Sequence, residues 1–493
     1  MHLNRIGGAV AALSLATCLW AGAPTCAQVA PPFKLLHSFT GGVDSQGPDA
    51  DLAVGHDGAL YGTSSGTDIS ESTITPGAVF KITTAGAFTI VHAFTGPPSP
   101  GGGNPQCNIV WDRAGNLYGT TSYGGIQNEG TVFQITPAGK FSTLINFDGF
   151  DTGHGIWPKG ELIFGKDGAL YGLASFGGPG GYGTLFQATT SGTLTDLVSF
   201  DFVHGSGPTG GLLEDSAGNF YGTTWTGGTS GAGTVFVYVP GFSFPAEYDF
   251  TAFDPNTEIN SDGAYPYSGL IRDAAGNLYG TGLIGGSYGK GVIFEIPVGG
   301  TLRVLYNFTG GSDGGYPEGK LTIGKDGLLY GTTTRGGNGL SSVYGGFGTV
   351  FSVWPDGSHL TTLYAFTPAD SNLANGDGAF PYTGLTLGND GNFYGTAMAG
   401  GADGDGTLFR LTMVPVVSSF SPTSGPVGTK VTIKGANFTE TTGIAIGNKP
   451  ASYTINSDSS LTLTIPSGAT SGKIGVTNRF GKGASLTSFV VTH

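Results

Sequence analysis

The chain has 493 residues, a formal charge of −14, 92 glycines, 12% aromatic residues and only 11% charged ones. So much glycine without a three-residue period excludes collagen, and the steady supply of Phe, Tyr, Val, Ile and Leu excludes a disordered chain. With only 20 Lys and Arg in all, the clustered basic surface that phosphate backbones demand is missing, so nucleic acid is excluded as a partner and the acidity serves solubility.

The chain opens on MHLNR, an apolar run IGGAVAALSLATCLWAGA and then PTCAQ. This is the grammar of a secretory signal peptide, residues 1–27, cleaved after Ala27. Cys18 and Cys26 leave with it, and Cys107 alone cannot form an internal disulfide. Neither departing cysteine follows the small residue that a lipid-modified one requires. No other segment is apolar enough over a sufficient length to span a bilayer. The expected product is exported, with no membrane span, and resides in the periplasm, at the cell surface or outside the cell.

A phrase of the type RAGNLYGT then recurs seven times, at Tyr61, Tyr118, Tyr171, Tyr221, Tyr279, Tyr330 and Tyr394. Each is followed by a Gly-Gly stretch and a phrase of the type GTVF, ending at Phe80, Phe133, Phe186, Phe236, Phe294, Phe351 and Phe409. A period of roughly 50–60 residues built from short strands signals a propeller or an array. Within the second unit, CNIVWD, NLYGTTSY, GTVFQIT and FSTLINF each alternate in the period-two manner of a half-buried strand. The joins carry the Gly-containing chemistry of tight hairpins, and four antiparallel strands per unit make a propeller blade.

The fourth strand recurs as FTIVHAF, FSTLINF, LTDLVSF, the divergent AEYDFTAF, LRVLYNF and LTTLYAF, ending at Phe94, Phe147, Phe200, Phe253, Phe308 and Phe366. The seventh unit lacks one after GTLFRLT, whereas the mature N-terminus opens with FKLLHSF. An N-terminal strand that pairs with Leu408–Leu411 would close the ring and remove its open edge. The fold class expected is therefore all-β: a seven-bladed β-propeller over residues 33–412, closed by the N-terminal strand and followed by an immunoglobulin-like sandwich. An open solenoid is the alternative, with both ends needing caps.

Through G-N-L-Y-G-T-T, G-G, G-T-V-F-x-I-T and L-x-x-F-T-G, these units resemble the Gloeo_Verruco (GloVer) repeats of bacterial exported proteins, a resemblance that covers nearly all of the mature chain before Thr412. From Val414 the pattern changes. VPVVSSFSPTSGPVGTKVTIKGANF, with Pro422, Gly425, Gly428, Gly435, Asn437 and Phe438, resembles the opening of an IPT/TIG domain over residues 415–493. That resemblance implies a spacer or interaction module.

In a four-stranded blade the first-to-second and third-to-fourth joins share one face of the disc. The second-to-third and interblade joins share the other, and here that second set varies in length and content, which marks it as the binding face. On it, Asp262, Asp313 and Asp377 precede the aromatic-Pro pairs at Tyr265, Tyr316 and Phe380, and Trp157-Pro158 holds the same place in the third unit. Tyr123, Phe176 and Trp225 occupy second-to-third joins. Aromatic rings beside carboxylates suit sugars, whose C–H faces stack while their hydroxyls donate to the carboxylate. The plainer reading is that Asp-Gly makes the turn and aromatic-Pro packs between blades. Calcium on these aspartates, or on Asp403 and Asp405, lacks a full ligand series, and the scattered histidines form no zinc motif, so no cofactor is expected.

The function expected is that of an exported non-enzymatic binding or adhesion protein, engaging an extracellular glycan or protein through the variable face. The alternatives are a glycan hydrolase or lyase on paired carboxylates, or a purely structural surface protein. An oxidase of the galactose oxidase outline requires a cross-linked Tyr-Cys pair, and Cys107 has no matching motif. Two carboxylates converging in the central funnel would favour the hydrolase, and exposed aromatic platforms without them would favour a lectin-like role.

Overall fold

The computed structural model describes residues 33–42, 44–66, 76–95, 101–149, 153–241, 246–339, 345–439, 441–457, 459–478 and 480–492. The expected signal peptide and the middles of two long second-to-third joins lie outside them.

The second repeat shows how a unit is built. Strands Val110–Trp111, Leu117–Thr121, Thr131–Ile135 and Phe141–Asn146 pair in chain order as one antiparallel sheet. Gly119 lies opposite Phe133, and a β-carbon on that glycine would stand 2.6 Å from the Phe133 ring. The glycine of Tyr-Gly is thus the seat for the phenylalanine of G-T-V-F, which is fully buried in every repeat. Tyr118 Oη donates to Asp112 Oδ2 at 3.0 Å, and the corresponding Tyr-to-Asp bond recurs in the six other repeats. The repeated phrase therefore serves the scaffold: it seats one strand on the next and ties the second strand to its turn.

Seven such sheets cover residues 53–93, 110–146, 155–199, 213–249, 271–307, 322–365 and 386–411. The third carries one extra short strand, Gly155–Pro158. The seventh takes its outermost strand from the start of the described chain: Phe33–Ser38 runs antiparallel to Thr407–Leu411, with Phe33 opposite Leu411 and Leu35 opposite Phe409. Phe39 then donates its N–H to Gly406 O at 3.0 Å, as Phe147 does to Gly130 O.

One joint, repeated, binds each sheet to the next. Gly130 holds a φ of 105°, and a β-carbon there would meet Thr121 O at 2.5 Å and Pro158 Cδ at 2.6 Å. The proline that opens each repeat sits against the glycine of the preceding G-T-V-F, down to Gly406 against Pro48. That last joint links the seventh sheet to the first, as do the Gly384 N–H to Asp51 Oδ1 at 2.6 Å and Thr386 Oγ1 to Leu52 O at 2.5 Å. The architecture is all-β and propeller-like.

In the fourth repeat Phe253 was the expected end of the fourth strand, but Phe250 takes that role, donating its N–H to Gly233 O at 3.1 Å. Asp249 lies opposite Thr234 as Asn146 lies opposite Thr131, so the phenylalanine directly after Asp249 is the terminal one. Phe253 lies in the following join, edge-on to Tyr265 with ring centroids 5.2 Å apart.

Residues 416–491 form a two-sheet sandwich whose core holds Val431, Ile433, Leu461, Leu463, Ile474, Val476 and Phe489. It is seated firmly on the repeats. Phe480 joins a core cluster with Leu328, Tyr330 and Phe393, while the Asn437 and Asn478 amides donate to the carbonyls of Thr412, Val414 and Met413.

Candidate functional site

The three interblade aspartates bind locally. Asp377 accepts from Tyr364 Oη at 2.6 Å, Thr367 N at 3.0 Å and Thr367 Oγ1 at 2.5 Å. Asp262 accepts from Tyr248 Oη, Thr251 N and Thr251 Oγ1, and Asp313 from Tyr306 Oη, Thr309 N and Thr309 Oγ1. Asp44 does the same work in the first repeat, with His37 and Thr40 as its donors. These carboxylates anchor the fourth strand to the interblade join. Asp377→Ala is expected to lower stability by about 2–3 kcal/mol, measured by chemical denaturation, and to leave ligand binding unchanged.

The interblade aromatics lie one per seam. Trp157, Tyr265, Tyr316 and Phe380 share a φ of 55–58°, a backbone region unusual for bulky residues. Their N–H groups donate to Glu129, Ala232, Lys290 and Phe347 of the preceding repeat. Trp157 packs with Tyr123 and Phe176 at centroid distances of 5.8 and 5.4 Å, and Trp225 with Tyr265 at 5.9 Å. Tyr316 accepts a hydrogen bond from Lys290 Nζ at 2.7 Å, and Phe380 lies under the Arg335 guanidinium. The ten candidates are therefore distributed over several seams, and five of them form two small aromatic groups, Trp157 with Tyr123 and Phe176, and Trp225 with Tyr265.

What converges is a different set. A cavity of about 310 Å³ is lined by residues of all seven repeats. Its upper level consists of the residue after each interblade proline: Asp49, Gln106, Lys159, Thr209, Tyr267, Glu318 and Tyr382. Its lower level, two residues on, includes Asp51, Asn108, Glu161 and Lys320. Strand alternation sends both sets inward, and the residue between them is always small, from Ala50 and Cys107 to Thr383. Cys107 belongs to the core: its thiol donates to Thr120 O and accepts from Thr120 N, and burial pushes it up to about 11.

At the upper level, Ser122 Oγ donates to Gln106 Oε1 at 3.2 Å and Gln106 Nε2 donates to Asp49 Oδ2 at 2.7 Å. Asp49 Oδ1 is enclosed and makes no hydrogen bond within the described protein. Burial pushes Asp49 up to about 6. It pushes Glu318 up to about 7 against the pull of Arg335. Lys159 is lowered by burial, with Asp49 partly restoring it, and among the described residues its ammonium has no hydrogen-bond partner.

At the lower level the charges bind one another. Lys320 Nζ of the sixth repeat reaches Glu161 Oε2 of the third at 2.7 Å, and Gly211 leaves the space in which the Glu161 side chain lies. Burial and the nearby Glu161 raise Asp51 to about 7. Burial pulls Lys320 down, yet Glu161 and Asp51 hold it above its ordinary value. Among the described residues, no group of three or more His, Cys, Asp or Glu is arranged to hold a metal ion.

Sequence reasoning missed this cavity, although the signal was present. PDADL, PQCNI, PKGEL, PTGGL, PYSGL, PEGKL and PYTGL are seven versions of one frame. Its first and third positions after proline differ from repeat to repeat while the flanking proline and Leu or Ile stay fixed.

Repeated four-stranded sheets sharing one inward-lined cavity define a propeller-like repeat protein. The chain belongs to the Gloeobacter/Verrucomicrobia repeat family, whose model matches residues 22–156, 66–261 and 242–451. Residues 415–491 match the IPT/TIG domain. No curated protein matches. Among solved structures, an extracellular domain attributed to a hybrid two component system of B. thetaiotaomicron is similar over 94% of this chain and 60% of its own length, at 11% identity and a TM-score of 0.51. A streptogramin B lyase is similar over 77% of this chain and 97% of its own, at 12% identity and 0.49. A fungal alcohol oxidase of the AA5 family, solved with copper, is similar over 93% and 98%, at 13% identity and 0.47. At such identities the likeness is one of fold.

Proposed function

We propose that the chain is an exported, non-enzymatic binding protein: a seven-bladed propeller closed by its N-terminal strand, which takes an extracellular glycan into the axial cavity. The observation that carries this reading is the upper level of the cavity. The Asp49 carboxylate and the Lys159 ammonium line the same space, and among the described residues the ammonium has no hydrogen-bond partner. Opposite charges brought into one pocket call for a polar partner. A sugar hydroxyl supplies one, since it donates to a carboxylate and accepts from an ammonium at once. Tyr267 and Tyr382 add ring faces and phenolic hydroxyls to the same lining. Ring closure is supported by the joints between the seventh and first sheets, and export by the N-terminal segment MHLNRIGGAVAALSLATCLWAGAPTCAQ.

The convergence of Asp51 and Glu161 on the cavity favours the hydrolase as a second reading. Their existing bonds argue against it. Glycosidases need one carboxyl to protonate the leaving group and the other to attack or to activate water, whereas Glu161 is held by Lys320 at 2.7 Å and Asp51 accepts from the Gly384 N–H at 2.6 Å.

A panel of soluble polysaccharides and their oligosaccharides, followed for both binding and product release, tests the proposal. Binding without turnover is expected. Asp49→Asn and Lys159→Met should each weaken it about tenfold or more while thermal stability is kept. Release of shortened products would establish the hydrolase instead, and binding indifferent to both substitutions would remove the cavity from the account.

A further inference from the structure

The seven repeats serve as their own comparison for a third set of positions, at the outer end of each second strand. In four repeats this position holds a small hydroxyl residue, all buried: Ser65, Ser122, Ser175 and Thr334 are 8%, 0%, 1% and 2% exposed. The fold therefore asks for little there. The fifth repeat has Leu283, partly buried against a core cluster, whereas the fourth has Trp225 and the seventh Met398, 40% and 43% exposed. Large apolar side chains left in solvent, where the frame accepts serine, are not explained by packing.

Their placement links them to the cavity. Tyr267, which lines it, meets the Trp225 ring edge-on, with centroids 6.5 Å apart and planes at 80°. Met398 is itself part of the lining. Both positions adjoin second-to-third joins. At the lower level the Lys320–Glu161 pair runs across the cavity between the third and sixth repeats.

Resting on the glycan reading above, we infer that Trp225 and Tyr267 form an outer subsite that stacks on the second sugar unit of a chain whose terminal unit occupies the cavity. The site accordingly reads chain ends. The Lys320–Glu161 pair across the base stops a polysaccharide from threading through the cavity. An aromatic platform directly outside then meets the next unit, whose C–H face suits a ring.

Trp225→Ser is the informative substitution, because serine is what three other repeats carry at this position. Calorimetry and tryptophan fluorescence with linear gluco-, xylo- and N-acetylglucosamine oligosaccharides of one to four units, and with cyclodextrins, provide the readout. Affinity is expected to rise about three- to tenfold from one unit to two and then level off. The tryptophan emission should respond to the disaccharide, and Trp225→Ser should bring disaccharide affinity down to that of the monosaccharide, which itself stays unchanged. Tyr267→Ala, which removes a cavity wall as well as the inner edge of the platform, should weaken the monosaccharide too and still abolish the gain from one unit to two. Equal affinity for one and two units, or full affinity of Trp225→Ser for disaccharides, overturns the outer subsite while leaving the cavity reading in place. Cyclodextrins bound as tightly as linear chains overturn end recognition. No binding of any saccharide overturns the glycan reading and this inference with it.

Discussion

Lys320→Met should destabilise the protein by about 2–4 kcal/mol at neutral pH, in the lower part of the range for a broken buried ion pair because the cavity solvates it partly. Lys320 is the cation that compensates Glu161 at 2.7 Å and acts on Asp51. Without it two neighbouring carboxyls remain in an enclosed space, where like charges cannot both ionise cheaply. The penalty should depend on pH. Asp51 is raised to about 7 in the folded chain against about 4 when unfolded, so the native state holds the extra proton between those values. The contribution of this group to stability therefore falls as pH rises through that window. Asp49 and Glu318, raised to about 6 and about 7, act in the same direction. In Lys320→Met the acids are pushed higher still, so the loss should be larger near pH 8 than near pH 5. Adding Glu161→Leu should recover part of it. Urea denaturation at both pH values is the measurement, and a penalty equal at both would refute the strut.

The repeats were legible because they build the scaffold. Tyr118 is bonded to Asp112, Gly119 seats Phe133, and Gly130 faces Pro158. Each is a physical necessity repeated seven times, and necessity repeated is periodicity. The same logic made Phe33–Ser38 readable as a displaced fourth strand, since its phrase matched the others. It failed at Phe253, because the divergent phrase holds two phenylalanines and the pairing of Asp249 with Thr234 selects the earlier, Phe250. The candidate site was hardest to read. Aromatic-Pro pairs and Asp-Gly turns recur, and their recurrence drew attention, yet recurring residues hold the seams together. Asp49, Lys159 and Glu318 differ from one repeat to the next, and a search for repetition passes over them. Their proximity also depends on contacts across more than 300 residues, as between Asp51 and Gly384, which no local pattern expresses. Trp225 was singled out as an aromatic in a join. Its departure from Ser65, Ser122 and Ser175, each four residues after the tyrosine of the repeated phrase, stands in the sequence, but its neighbour Tyr267 lies in another repeat and only the structure brings the two rings together.

Gly130→Ala should cost about 3–5 kcal/mol, and its contrast with Gly139→Ala separates two causes. Both glycines have positive φ, 105° and 79°. A β-carbon on Gly139 meets nothing within 4 Å, so alanine there bears only the left-handed backbone cost, about 1–2 kcal/mol. On Gly130 the same carbon would stand 2.5 Å from Thr121 O and 2.6 Å from Pro158 Cδ, and neither neighbour is the free end of a flexible chain. The backbone must move, which adds the cost of overpacking. The displacement has a direction: Pro158 is followed at once by Lys159 and, two residues later, by Glu161, so relief of the clash shifts one wall of the cavity. Gly130→Ala should therefore lose ligand affinity along with stability, whereas Gly139→Ala, at a hairpin remote from the seam, should lose a little stability alone. Thermal unfolding and saccharide titration of the two variants side by side provide the comparison. Equal losses in the pair would mean that the proline-glycine joint does not position the cavity wall.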